Sequence, residues 1–153
     1  MCSPILGGSL WTMPYILRAD GTRHDGRMIQ ADPAWRLRLA PTDLTFIRID
    51  GQTRLQFDKT EVVIESEFTL TSEGVEHHLD PFDRANLGPL LVLWPDPLES
   101  GSVDVDGTLR LVFASGATIA VPPDEHGEAW QVNGPDYLVV CVPGSSGDLA
   151  IWD

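Results

Sequence analysis

The chain has 153 residues, 23 acidic against 10 basic side chains, a formal charge of -13 and a hydrophobic share of 42%. These values suit one folded domain that buries roughly 68–70% of its unfolded surface, and they exclude a disordered chain. No apolar run reaches the ~18 residues of a membrane-spanning helix, and the acid excess disfavours binding to nucleic-acid phosphates, which needs a basic face.

Residues 1–34 read as an irregular extension, or as a strand or two added to a larger body. Pro4, Gly7, Gly8, Pro14, Gly21, Gly26 and Pro33 punctuate short apolar pieces there. No Lys or Arg precedes Ile5-Leu6, so a secretion signal is not expected and a cytoplasmic location is. Met13 and Met28 leave the start of translation open. Residues 1–41 hold five Arg and three Asp, so the acid excess belongs to the remainder of the chain. An acidic surface keeps a protein soluble and steers basic partners toward it.

From Trp35 onward, short runs with period two alternate with Asp, Gly and Pro, and residues 35–153 read as a single α+β domain. A repeat at a spacing of 56 residues relates about 44–65 to about 101–121. Asp50-Gly51 matches Asp106-Gly107, Arg54-Leu55 matches Arg110-Leu111, Phe57 matches Phe113 and Val63 matches Ile119. These become two related antiparallel hairpin units in small or curled sheets.

In the first unit a two-residue Asp50-Gly51 turn sets Ile49 opposite Gln52, Phe46 opposite Leu55 and Leu44 opposite Phe57. In the second, a three-residue loop pairs Val105 with Leu109 and Val103 with Leu111. The following loop Ala114-Ser115-Gly116 sets Phe113 opposite Ala117, Leu111 opposite Ile119 and Leu109 opposite Val121. It leaves Thr108, Arg110, Val112, Thr118 and Ala120 on the other face.

Between the units a helix is expected over about 81–94, packed across the sheets. Asp80 would cap it, Asp83 would favour its positive end, and Phe82, Leu87, Leu90, Leu91 and Trp94 would be available for burial. Gly88-Pro89 should bend it, and Pro95 and Pro97 end it. Strand-like pieces follow at Ala129–Val132, Tyr137–Val142 and Leu149–Trp152, the last two joined by the loop Pro143-Gly144-Ser145-Ser146-Gly147.

Several motifs recur in order: His77-His78-Leu79-Asp80-Pro81, Leu90-Leu91, Asp106-Gly107-Thr108-Leu109-Arg110-Leu111 with Phe113, Glu128-Ala129-Trp130-Gln131-Val132-Asn133-Gly134-Pro135, Cys141-Val142-Pro143-Gly144 and Leu149-Ala150-Ile151-Trp152. Over about Trp35 to Trp152 the chain resembles a family of small bacterial proteins that carries only a domain-of-unknown-function label. The resemblance implies one compact domain and no established activity.

No catalytic, metal or cofactor site is expected. Alternation sends His77 and His78 to opposite faces, and His78 is expected to bond the helix start. Asp104-Val105-Asp106-Gly107 lacks the remaining ligands of a calcium loop. Pro143–Asp148 has neither the nucleophile-elbow nor the P-loop pattern. Glu128 shares a strand face with Trp130 and reads as a structural carboxylate. Cys2 and Cys141 make no disulfide framework, and Cys141 reads as a buried small hydrophobe.

The favoured reading is a non-enzymatic interaction protein whose acidic loops dock a basic protein partner, with toxin-neutralising immunity proteins as a concrete model. The expected contact residues are Asp96, Glu99, Asp104, Asp106, Asp124, Glu125 and Glu128. The alternatives are a ligand-binding or enzymatic pocket between helix and sheet, lined by Trp94 or Trp130, and self-association through a sheet edge.

Overall fold

The computed structural model describes residues 15–17, 34–37, 41–144 and 147–152. In chain order its strands begin with β1 (Tyr15–Leu17), β2 (Ala34–Arg36), β3 (Thr42–Asp43), β4 (Phe46–Ile49), β5 (Thr53–Phe57), β6 (Thr60–Ile64), β7 (Phe68–Ser72) and β8 (Val75–Leu79). A 3-10 turn (Arg84–Asn86) and a four-residue helix α1 (Gly88–Leu91) come next. The second half supplies β9 (Pro97–Asp104), β10 (Leu109–Phe113), β11 (Thr118–Val121), β12 (Trp130–Asn133), β13 (Leu138–Cys141) and β14 (Leu149–Trp152).

These form two seven-stranded antiparallel sheets. One runs β1-β14-β13-β12-β6-β5-β4; the other runs β2-β9-β10-β11-β7-β8, with β3 also paired to β9. Inward side chains of both sheets share one core cluster, in which the rings of Phe57 and Phe113 meet across the gap at 6.1 Å between centroids. Such a two-sheet core explains the period-two burial of β5, β10 and β11. Of the expected N-terminal extension, β1 and β2 each add an outer strand to a sheet; most of the rest lies outside the described residues.

The fold is therefore mostly β, and the expected α+β architecture with a helix over 81–94 is overturned. Pro89 has no N–H to donate back to residue 85, so no helix runs through from 81, and beyond Leu91 the bonding tightens to i→i+3 turns that lead to Pro95. Asp80 does not cap a helix. Its Oδ1 accepts the Phe82 N–H at 2.9 Å and turns the chain, while Asp83 caps the 3-10 turn by accepting from the Ala85 N–H. Leu87, Leu90 and Leu93, three residues apart, reach the core, whereas Phe82, Leu91 and Trp94 stay about half exposed. The Thr53 hydroxyl donates to the Pro81 carbonyl and the Trp94 indole N–H to the Thr45 carbonyl, which ties this segment to the β4–β5 end of the first sheet.

Two hairpin registers also differ from expectation. The first loop has three residues, Asp50-Gly51-Gln52, with Ile49 opposite Thr53, Ile47 opposite Leu55 and Phe46 opposite Gln56. Gly51 takes φ +95° while Asp50 stays at negative φ, so this is not the two-residue turn. The longer loop turns Ile47 and Ile49 toward the core and leaves Phe46 exposed; Asp50 bridges the cross-strand Arg48 and Arg54 at 2.9 and 3.2 Å. In the second unit Val103, not Val105, faces Leu109, and Gly101 faces Leu111. Val105 sits in the turn, exposed.

The β10–β11 register agrees with the expected one, and Gly116 takes φ +93°. Thr108 is buried rather than outward. The two units fall in different sheets, each as a three-stranded meander: β4-β5-β6 and β9-β10-β11.

Candidate functional site: an acidic groove

Three chain segments converge at one end of the sheets. Between β6 and β7 the chain bends at Ser66, within Glu65-Ser66-Glu67. The Glu65 N–H donates to the Ala129 carbonyl at 2.9 Å, and the buried Ser66 hydroxyl reaches the same carbonyl. Ser66 is buried, whereas Glu65 is half-buried and Glu67 exposed. At the end of β8, the turn held by Asp80 brings out the ring of Phe82. Pro122 and Pro123 lead from β11 into a loop where Asp124 Oδ1 accepts the His126 N–H at 2.9 Å and the Asp124 carbonyl accepts the Gly144 N–H.

Together they enclose an open groove of about 510 Å³ with Glu65, Glu67, Asp80, Asp124 and Glu125 around Phe82 and the two prolines. His126 also lines it, and among the described residues neither Lys nor Arg does. A smaller adjoining hollow of about 270 Å³ shares Glu67, Asp80 and Pro122 and extends along Phe68, Thr69, His78 and Leu79.

Glu65 combines burial with a neighbouring carboxylate. Burial first, and the nearby carboxylate of Glu128 second, hold its carboxyl above the usual carboxylate range, while a bond from Gln131 works against them. The amides of Gln52 and Gln131 both donate to it. Carboxylates beside an aromatic face suit a guanidinium or ammonium group, which can satisfy the acids and lie over the ring. Among the described residues no group of three or more His, Cys, Asp and Glu is placed to hold a metal ion.

The expected contact residues do not form one patch. Asp124 and Glu125 line the groove, and Glu128 is exposed near Glu65. The other four lie elsewhere. Asp96 accepts from the N–H and hydroxyl of Ser115, Glu99 is exposed on β9, Asp104 pairs with Arg110 at 2.7 Å, and Asp106 accepts the Thr108 N–H in the β9–β10 turn. Glu65, Glu67 and Asp80 complete the groove. The signal in the sequence is the pair Glu65 and Glu67 around Ser66, whereas Asp80 reads from sequence alone as a helix cap.

His78 does not bond the start of the helical segment. It meets Glu76 at 3.1 Å on the outer face of β8, since β-alternation separates it from the core-facing His77 and Leu79. The pocket expected between helix and sheet changes character with the loss of the helix. Trp130 is wholly buried, with its indole N–H on the Gly107 carbonyl, whereas Trp94 lines an open groove of about 420 Å³ with Leu70, Pro89 and Val92. Burial, together with the charges of Asp148 and Asp106, pushes the Cys141 thiol up to about 12, in keeping with an inert core thiol.

No helix among the described residues is long and apolar enough to cross a membrane. No curated protein and no solved structure matches the chain. A family model does match residues 35–153, starting at the Trp35 where the strand pattern begins. The chain belongs to the family of unknown function DUF6188.

Proposed function

We propose that this protein is a non-enzymatic interaction domain that takes a basic segment of a partner protein into the acidic groove. The observation that carries the reading is the convergence of five carboxylates from three separate chain segments around one exposed aromatic ring, with no basic side chain among the described residues that line it. Like charges brought together repel one another, and a cationic partner relieves that repulsion. Neutralisation of a basic toxin domain is the concrete form this activity would take.

Titration with an arginine-rich peptide tests the reading. Affinity should fall steeply from about 0.1 M to about 1 M salt, as the Debye length shrinks from ~10 to ~3 Å. The double variant Asp124→Asn, Glu125→Gln should bind more weakly than the wild type at low salt. Equal affinity at both salt concentrations, or an unaffected double variant, overturns the assignment.

A further inference from the structure

Resting on that reading, we infer that the basic segment binds as an added β-strand along the free edge of β8, with basic and apolar residues alternating. β8 ends the second sheet and pairs, among the described residues, only with β7. No described strand pairs with its outer row of N–H and C=O groups, the arrangement that a further strand can extend. The five-residue register with β7 runs from Phe68–Leu79 to Ser72–Val75 without a bulge. Val75-Glu76-His77-His78-Leu79 contains no Pro, Lys or Gly, so it lacks the usual devices that blunt an edge other than its acidic charge.

Charge selects this edge and this occupant. β4, one outer strand of the first sheet, presents Arg48, and β3, which carries Asp43, is only two residues long, while the five-residue β8 presents Glu76. Glu76 and His78 lie on the outer face, and Val75, His77 and Leu79 on the core-facing side, where Val75 is 53% exposed. An added strand keeps the same two faces, so its side chains next to Glu76 should be basic and those next to Val75 apolar.

The path is continuous with the proposed site. At its Leu79 end β8 enters the hollow that shares Glu67 and Asp80 with the acidic groove. At its Val75 end, Ser72 and Glu73 line the groove beside Val92 and Trp94, which are 83% and 54% exposed. A second copy of this chain would bring a further -13 of charge to the same carboxylates, which disfavours edge-to-edge self-association.

The test uses two blocked octapeptides of equal charge, one alternating Arg and Val, the other four Arg followed by four Val. Hydrogen–deuterium exchange of the whole protein is followed with each at low salt. The alternating peptide should bind more tightly and slow alternate amides within 75–79 by about tenfold or more, as ladder hydrogen bonds form. Glu76→Arg, an exposed substitution, should abolish that protection. Binding of both peptides alike with no change at 75–79 overturns strand addition and leaves the groove reading standing. Failure of both to bind overturns the two together. Light scattering that shows a dimer of the free protein, with β8 amides already protected, assigns the edge to self-association instead.

Discussion

Gly107 and Gly147 meet backbone to backbone: a Cβ added to Gly107 would lie 2.5 Å from the Gly147 Cα, and one on Gly147 would strike the Asp106 carbonyl. The contact presses the β9–β10 turn of the second sheet onto the residues that lead into β14 of the first. The Trp130 indole N–H reaches the Gly107 carbonyl from the core at 3.1 Å, so the same turn is held from two directions.

Gly107→Ala should therefore cost about 2 kcal/mol or more, combining the strain of φ +89° with a clash that only backbone movement can relieve. Gly51 has a similar φ of +95° but open space around it, and Gly51→Ala should cost about 1 kcal/mol, the conformational part alone. Urea unfolding of the two variants measures the difference. Equal losses would mean that the close approach has no energetic weight.

The single helical turn makes a sharp contrast between adjacent leucines. Leu90 is wholly buried and Leu91 about half exposed. Leu90→Ala should lose roughly 2–5 kcal/mol, and Leu91→Ala about 0.5 kcal/mol or less. Thermal unfolding distinguishes this arrangement from a longer helix that buries both.

Cys141 supplies an alkaline signature. Its thiol keeps its proton to about 12 in the folded state, against 9.0 for the ordinary group. Between those values the native protein binds more protons than the unfolded chain, so stability falls as pH rises, by up to about 1.4 kcal/mol per unit. Cys141→Ala should flatten this decline relative to wild type above pH ~9 while lowering stability near neutrality. Parallel slopes for the two proteins would contradict the buried-thiol account.

Glu65 is a raised carboxyl in the folded state. Its raised carboxyl means that the folded state holds the proton longer than the unfolded chain, so this residue's contribution to stability is present at low pH and is lost as pH rises through the folded value. Glu128→Gln removes one of the two causes and should move Glu65 back toward its ordinary range, leaving the shift due to burial. Carboxyl NMR titration reads this directly, and an unmoved Glu65 would show that Glu128 is not coupled to it.

Asp104→Asn is a control for the groove. It should leave peptide affinity unchanged, since Asp104 is engaged with Arg110 away from the site, and should cost about 0.2–1 kcal/mol, the range of an exposed ion pair. A binding loss matching that of the Asp124 and Glu125 variant would move the contact surface to the β9–β10 turn.

Short-range signals were legible where they are self-sufficient. Gly116 with flanking alternation specified the β10–β11 register, and the three C-terminal strands stand close to where their apolar runs place them. At Asp50-Gly51 the turn residues were right and the loop length wrong by one, because both registers satisfy the turn and only burial of Ile47 and Ile49 chooses between them. The 81–94 segment misled for a related reason. Its capping residues and leucines fit a helix locally, yet Pro89 breaks the bonding that would continue it from residue 81 and Asp80 uses its carboxylate in a different bend.

By itself the sequence determined a folded, strongly acidic chain of short alternating strands, because composition and period two act between near neighbours. Which carboxylates stand together was decided only by the tertiary structure. Glu65, Asp80 and Asp124 are brought to one groove by strand order in two sheets, and that order follows from long-range burial of a shared core.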